Sequence, residues 1–242
     1  MSDPLPKQTR IVIVGGGIIG CSVAYHLTKQ GSRDVLLLEQ GAIGAGATSF
    51  AAGLVGGAPQ AGLRKLIDAS AKLYAALEKD TGVATDWKQV GSLVLAQTEA
   101  RMIQYRRAVP LAQASGLDVH LITADEAGQK WPLLDTKDLR GAMWLPAEGR
   151  VNARQAALAL AKGAEKRGAT IVTDVRVTSV LRKNGRAVGV ATTQGEIAVS
   201  RRSATKRARS PTSSRCRTTS PRRARSSPTT ISCSTGFPVS SP

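Results

Sequence analysis

The sequence predicts a discontinuous, doubly wound α/β domain interrupted by an inserted β-sheet layer, and three observations carry that prediction. A strand, a glycine turn, a helix and a second strand follow one another within residues 10–40, "RIVIVGGGIIGCSVAYHLTKQGSRDVLLLEQ". The alternation resumes over residues 152–199, "NARQAALALAKGAEKRGATIVTDVRVTSVLRKNGRAVGVATTQGEIAV". Between them, residues 86–149 contain short β runs of a different grammar. The expected boundaries are 8–85 and 150–200 for the two parts of the main domain, 86–149 for the inserted layer, and 201–242 for a tail.

"RIVIVG" is a continuous apolar run bounded by glycine, the pattern of a strand covered on both faces in a parallel sheet. From Ile18 to Gln30 the residues Ile19, Val23 and Leu27 recur at helical spacing, and Gly31 stands where a C-cap glycine belongs. "DVLLLEQ" supplies the second strand and completes a βαβ unit. After the loop "GAIGAGATSFAAGLVGGAPQAG", Leu63, Leu66, Ile67, Leu73, Tyr74 and Leu77 share one helical face. Residues 86–97 read as a strand pair or as one strand bent at Gly91. Residues 99–115 read as a helix that Pro110 should kink or break. "LDVHLIT" and "GAMWLP" are further strand candidates. The alanine-rich helix after Asn152 ends near Gly168, "TIVTD" follows as a strand, and the remainder is a meander turning at Asn184-Gly185 and Gln194-Gly195.

Composition narrows the class. The chain has 242 residues, 42% of them hydrophobic, enough for one sizeable core or two small ones. Its net charge of +17 is uneven: residues 201–242 hold ten Lys or Arg and no acid, leaving 24 basic against 17 acidic residues, or +7, in the first 200. Cys21, Cys216 and Cys233 have neither metal-ligand nor redox spacing, so the sequence predicts no disulfide framework and no metal site. The N-terminus lacks the order of a secretory signal, and no apolar stretch approaches the roughly 20 residues that span a bilayer. A soluble, cytoplasmic protein without membrane contact is the expectation.

Gly15, Gly17 and Gly20 form a G-x-G-x-x-G turn between the first strand and the first helix. The first glycine permits the bend, the second lets a pyrophosphate approach the backbone, and the third lets helix and strand pack closely. The helix N-terminus adds its dipole and free amides. Glu39, at the end of the second strand and 19 residues beyond Gly20, can accept hydrogen bonds from an adenosine ribose. Together these define a Rossmann-like dinucleotide site. NAD and FAD share this grip, so the turn alone does not choose between them. The following loop, residues 41–57, is nearly devoid of charge and dense in small residues, as needed where a long cofactor lies against backbone amides.

On "GGGIIG" and "GATSFAAGLVG" the sequence resembles the FAD-dependent amine and amino-acid oxidoreductases, the family of glycine oxidase, sarcosine oxidase and the sarcosine and dimethylglycine dehydrogenases, over about residues 10–200. The resemblance implies backbone contacts from Ile18 and Ile19 to phosphate, and contacts from Glu39 and Gln40 to the adenosine ribose and from Ala47 and Thr48 to the pyrophosphate. It implies that Ala52, Gly53 and Leu54 approach the flavin ring and that the backbone of Val177, in "DVRVTSV", meets the adenine; an ordinary strand residue is the competing reading of Val177. The two dehydrogenases carry a histidine in this loop that bonds covalently to flavin, and the matching residue here is Phe50, so FAD is expected to be held non-covalently. The implied reaction passes hydride to flavin from a C–H next to nitrogen in a small amine or amino acid.

No catalytic acid, base or nucleophile stands out, which suits chemistry carried by a flavin. His26 and His120 read as packed or solvated, Trp87, Trp131 and Trp144 as core or interface residues rather than pocket lining, and Lys88 and Arg150 as solvated surface rather than carboxylate ligands. The tail has eleven Ser, seven Thr and five Pro with almost no aliphatic residue, and is expected to be disordered. Its "SPRRARSSP" would bind nucleic acid only non-specifically. Because the resemblance calls for another apolar strand and glycine turn after "GEIAV", residues from about 201 onward are also expected to derive from a shifted reading frame, leaving a chain too short for turnover. Two alternatives stay open: an NAD(P)-dependent Rossmann dehydrogenase, and a non-enzymatic fragment whose basic tail binds nucleic acid.

Overall fold

Residues 5–56 and 64–200 are described in the computed structural model of the chain. The expectations for the tail, and for Leu63 on the second helix, lie outside the described residues. The described elements belong to one compact unit, Met1–Ser203.

A three-stranded parallel sheet forms its centre, in the order β2 (Ile11–Val14), β3 (Val35–Leu38), β9 (Thr170–Val172). Val35, Leu36, Leu37 and Leu38 are each at most 1% exposed, because β3 is covered on both faces. On one side Val35 and Leu37 pack with Cys21, Ala24 and Tyr25 of helix α1 (Ile18–Lys29) and with Ala157, Leu160 and Ala164 of helix α5 (Ala153–Lys166). On the other, Leu36 and Leu38 meet Val175, Val190 and Ile197. Each such side chain contributes roughly 1.5–3 kcal/mol on burial. The covering layer is the expected meander, β10 (Val177–Lys183), β11 (Arg186–Thr192) and β12 (Gly195–Val199), joined at its far edge by β1 (Gln8–Thr9) running parallel to β12. A β layer thus takes the second face of the parallel sheet. Asn184 and Gly185 both have positive φ, 52° and 74°, which suits the tight hairpin turn.

Helix α1 ends as expected: Gly31 has φ 84°, and Gly31 N and Ser32 N donate to the carbonyls of Thr28 and Leu27. Helix α2 (Arg64–Thr81) packs on α5. An ionic and hydrogen-bonded knot ties α1, α2 and α5 together: the Tyr25 hydroxyl donates to Asp80 at 2.6 Å, and Arg167 reaches both Asp80 oxygens at 2.8 and 2.6 Å.

The inserted layer is an antiparallel sheet in the order β5 (Ser92–Ala96), β7 (Gly141–Leu145), β6 (His120–Ile122). Helix α3 (Glu99–Ala114) covers one face with Met102, Tyr105 and Val109 against Ala96, Met143 and Leu145. Pro110 does not break α3. It lies near the C-terminal end, where it removes a single hydrogen bond, and the buried Met102, Tyr105 and Val109 before it hold the helix to the sheet. A short helix, α4 (Ala124–Lys130), follows β6 and packs against β7. Its N-terminus is a capping box: Glu126 N donates to Thr123 Oγ1 at 3.2 Å and Thr123 N to the Glu126 carboxylate at 2.7 Å.

Residues 86–97 divide at Gly91. Before it, Lys88 exchanges backbone hydrogen bonds with Arg150, both 2.9 Å; after it, β5 pairs with β7. Gly91 has φ +74°, and a Cβ there would lie 1.8 Å from the Trp144 ring. The layer is tied to the loop after β3 by β4 (Leu54–Val55) pairing antiparallel with β8 (Gly149–Arg150).

Candidate functional site

The glycine turn is built by backbone contact at distances that exclude side chains. Gly15 has φ +101° and its N–H donates to the Leu38 carbonyl at 2.8 Å, tying the turn to the end of β3. A Cβ on Gly20 would sit 1.9 Å from the Gly15 carbonyl oxygen, so helix and turn touch where only glycine fits. A Cβ on Gly17 would stand 3.2 Å from Thr48 Oγ1. The N-cap residue Gly17 supplies no side-chain cap to helix α1, and no acid stands in the first turn. The helix dipole favours an anion at this end.

Glu39 is half-buried, and its carboxylate faces the turn. One oxygen accepts from Gly16 N at 2.5 Å and the other from Gly41 N at 2.9 Å. Each carboxylate oxygen has two acceptor sites, so capacity for a ribose hydroxyl remains. Gly16, which the motif spacing passes over, is the buried centre of this arrangement: its carbonyl also accepts from Gly44 N at 2.9 Å and from the Cys21 thiol at 3.4 Å. A Cβ at Gly16 would lie 2.5 Å from Ile43 Cδ1. Cys21 is fully buried, and burial first, then the Glu39 charge, pushes its thiol up to about 12. It stays a neutral thiol, packing the back of the turn.

The loop after Glu39 folds back over the start of α1. Residues Ala47–Phe50 form a 3₁₀ turn whose buried Thr48 accepts from Ile18 N at 3.0 Å. Thr48 therefore caps α1 from 30 residues away, and the Ile18 amide already has a protein partner. Ile19, by contrast, is 78% exposed. Ala47, Ala52 and Gln40 are exposed, and Leu54 and Phe50 are exposed large apolar side chains. Gly53 has φ +72°, and a Cβ there would lie 1.9 Å from the Val151 carbonyl, beside the β4–β8 pair. A cleft of about 350 Å³ opens here, lined by Ile18, Thr48, Gly53 and Leu54 on one side and Ile67, Tyr74 and Val151 on the other. Among the described residues its lining carries no ionisable group apart from Tyr74, whose hydroxyl burial pushes upward. The structure thus brings Gly15, Gly17, Ile18, Gly20, Glu39, Thr48, Gly53 and Leu54 into one turn-and-cleft system.

Val177 opens β10, half-buried against the Leu36 and Leu38 side of the sheet. The segment leading to it runs beside Glu39, with Glu39 N donating to Val172 O at 2.9 Å and Val175 N to Glu39 O at 3.0 Å. His26 is exposed on α1 and bonds the Ser22 carbonyl, while His120 is exposed and bonds Asp118 at 2.7 Å. Trp87 stacks on Tyr74 at 6.4 Å between ring centres, Trp144 lies beneath Lys130 at 4.3 Å, and Trp131 is 54% exposed. Among the described residues there is no cluster of His, Cys, Asp and Glu suited to a metal ion, and no helix is long and apolar enough to cross a membrane.

A helix-capped parallel sheet, a side-chain-free turn and an acid at the end of the next strand define a dinucleotide-binding α/β protein. The chain belongs to the FAD dependent oxidoreductase family, which matches residues 10–204. It is 41% identical over 197 residues to the mitochondrial pyruvate dehydrogenase phosphatase regulatory subunit of Mus musculus, covering 81% of this chain and 22% of that protein. It is 40% identical over 194 residues to the formaldehyde-forming 4-methylaminobutanoate oxidase of Paenarthrobacter nicotinovorans, covering 80% and 24%. The solved glycine oxidase of Bacillus cereus ATCC 14579 superposes with a TM-score of 0.69 at 31% identity, covering 78% of this chain and 53% of that one. The chain therefore spans less than a quarter of these curated relatives and about half of the solved enzyme.

Proposed function

We propose that this chain supplies the FAD-binding part of an oxidoreductase acting on the C–H next to nitrogen of a small amine or amino acid of the glycine, sarcosine or dimethylglycine type. The observation that carries the proposal is the contact between Gly15 and Gly20, which leaves the start of α1 open to a pyrophosphate, in a chain of this family. Bound flavin supplies the hydride acceptor. The protein's own share is placement. Gly15, Gly17, Ile19 and Gly20 present backbone to the pyrophosphate; Ile18, whose amide is held by Thr48, braces them. Glu39 and Gln40 face the ribose, and the Val177 strand approaches the adenine. Ala47, Thr48, Ala52, Gly53 and Leu54 form the wall along which the cofactor extends, and the apolar cleft beside them excludes water from it. Residues 8–85 and 150–200 act as the cofactor domain, and 86–149 as the substrate layer.

Phe50 offers no atom able to bond covalently to flavin, so the cofactor is held non-covalently. Nucleic acid would meet the protein only through the charge of residues 201–242.

The test is the visible spectrum of the purified chain mixed with FAD and passed through a desalting column. Wild type retains flavin absorbance, Gly17→Val does not, and acid precipitation leaves all the flavin in solution. Equal retention by the two proteins overturns the proposal. Oxidation of glycine, sarcosine and dimethylglycine with excess FAD then addresses substrate class.

A second reading follows from the mouse relative, whose name describes a regulatory subunit. There the same fold would serve a partner protein instead of turnover.

A further inference from the structure

A second cavity, a groove of about 820 Å³, runs between α1 and α2 with α5 beneath it. Its centre is apolar and shallowly furnished: Leu73 and Leu160 are flanked by Ala69 and Ala76, which leave space where longer side chains would fill it. Its two rims are basic. Lys72 and Lys79 stand seven residues apart on α2, two helical turns along one edge, and Lys29 stands on the α1 edge.

Asp80 is the one carboxylate among the residues lining the groove, and it is already held by Arg167 and by the Tyr25 hydroxyl. Asp68 and Glu78, the other acids of α2, do not line it. Three ammonium groups thus frame an apolar trough, a pattern that matches an amphipathic helix with an acidic border. The chain's own tail is a poor match, since residues 201–242 carry ten basic residues and no acid. A concave trough also suits a helix better than a flat bilayer.

We propose that this groove docks an acidic amphipathic helix of a partner protein, its apolar stripe against Leu73 and Leu160 and its carboxylates against Lys29, Lys72 and Lys79. Leu66, Ser70 and Tyr74 line both this groove and the cofactor cleft, so α2 is a wall common to the two. The proposal stands whether or not the cleft holds flavin.

The probe is a fluorescein-labelled peptide of 18 residues, the length of α2, built from Leu, Ala and Glu in an amphipathic pattern and titrated with the full-length chain by anisotropy. Saturable one-to-one binding is expected. Lys72→Glu with Lys79→Glu should weaken it by at least ~10-fold, because attraction becomes repulsion at the rim. Arg182→Glu with Lys183→Glu makes the same charge change at exposed positions on β10 and should alter binding by no more than ~2-fold. Ala76→Trp fills the trough at an exposed position without changing charge and should also weaken binding by ~10-fold or more. Circular dichroism verifies that each variant keeps its helix content. Equal losses in the two double variants would reduce the effect to overall charge and overturn the proposal. So would undiminished binding by Ala76→Trp, or a self-associating chain whose dimer is lost in Lys72→Glu with Lys79→Glu, which would make a second copy the occupant.

Discussion

The glycine turn and the inserted layer are held together by opposite means. In the turn and the loop after it, the tightest contacts are backbone against backbone: Gly20 approaches the Gly15 carbonyl and Gly53 the Val151 carbonyl. In the inserted layer, side chains do the holding. Met102, Tyr105 and Val109 fill one face of the sheet, and Trp144 lies against Gly91 on β5's leading edge. The difference teaches where substitution is tolerated. A site built from backbone admits one residue type at each contact, whereas a packed layer accepts other side chains of matching volume.

The strongest test of that contrast is Gly20→Ala. Its Cβ would meet a carbonyl oxygen that cannot move without unmaking the turn, so we expect a loss of about 3–5 kcal/mol in denaturant unfolding, or no folded protein. Gly91→Ala is the counterpart in the layer. The clash is with a ring edge, and removing the ring relieves it: Gly91→Ala alone should cost about 2–4 kcal/mol, while in a Trp144→Ala background only the backbone strain of about 1 kcal/mol should remain. An equal cost in both backgrounds would mean that backbone, not side chain, sets the limit there too.

Glu39→Ala should weaken FAD binding by roughly 10- to 100-fold, or about 1.5–3 kcal/mol, through loss of charged hydrogen bonds to ribose and of the Gly16 and Gly41 brace. Glu39→Gln should fall between, since its amide offers one acceptor to two donors; isothermal titration calorimetry distinguishes them.

The smallest effect belongs to Asp80→Asn. The Tyr25 hydroxyl first, and Arg167 second, hold the Asp80 carboxyl below its ordinary value, while burial first and Asp80 second push the Tyr25 phenol up. Asp80 and Arg167 are partly exposed, so solvent screening limits the contribution to less than about 1 kcal/mol. A depressed carboxyl stabilises the folded state above its unfolded value and loses that contribution as pH falls through the folded one. The stability difference between wild type and Asp80→Asn should therefore be fully present well above the usual carboxyl value of 3.8 and shrink as pH drops below it. Thermal melts from neutral pH into acid check the sign.

What the sequence made legible follows the same division. The βαβ unit could be read because its turn leaves no choice but glycine and its strand β3 is apolar at every position. Glu39 was visible for the same reason, as a lone acid ending an apolar run. The brace on Gly16, the reach of Thr48 to Ile18, and the meeting of Trp144 with Gly91 were not, since each joins residues 23 to 53 positions apart and has no local period. The helix α4 was legible in principle: Thr123 and Glu126 spell a capping box, though the segment is too short to show periodicity. A break at Pro110 does not occur, because the proline's missing hydrogen bond is a local loss set against the packing of Met102, Tyr105 and Val109 on the sheet. The two-residue strands β1, β4 and β8 exist only through partners distant in the chain, and no local signal announces them.

Thr48 and Glu39 have a kinetic consequence. The start of α1 acquires its cap, and Gly16 its carboxylate, only after the chain has returned from β3 and closed the following loop. A helix nucleus at Ile18–Lys29 can flicker into existence early, but its N-terminal turn has nothing to hold it until that closure. The surface meant for a phosphate is consequently a late product of folding, assembled in one step with the loop that walls it, and the unfolded or half-folded chain should have no affinity for the anion at all.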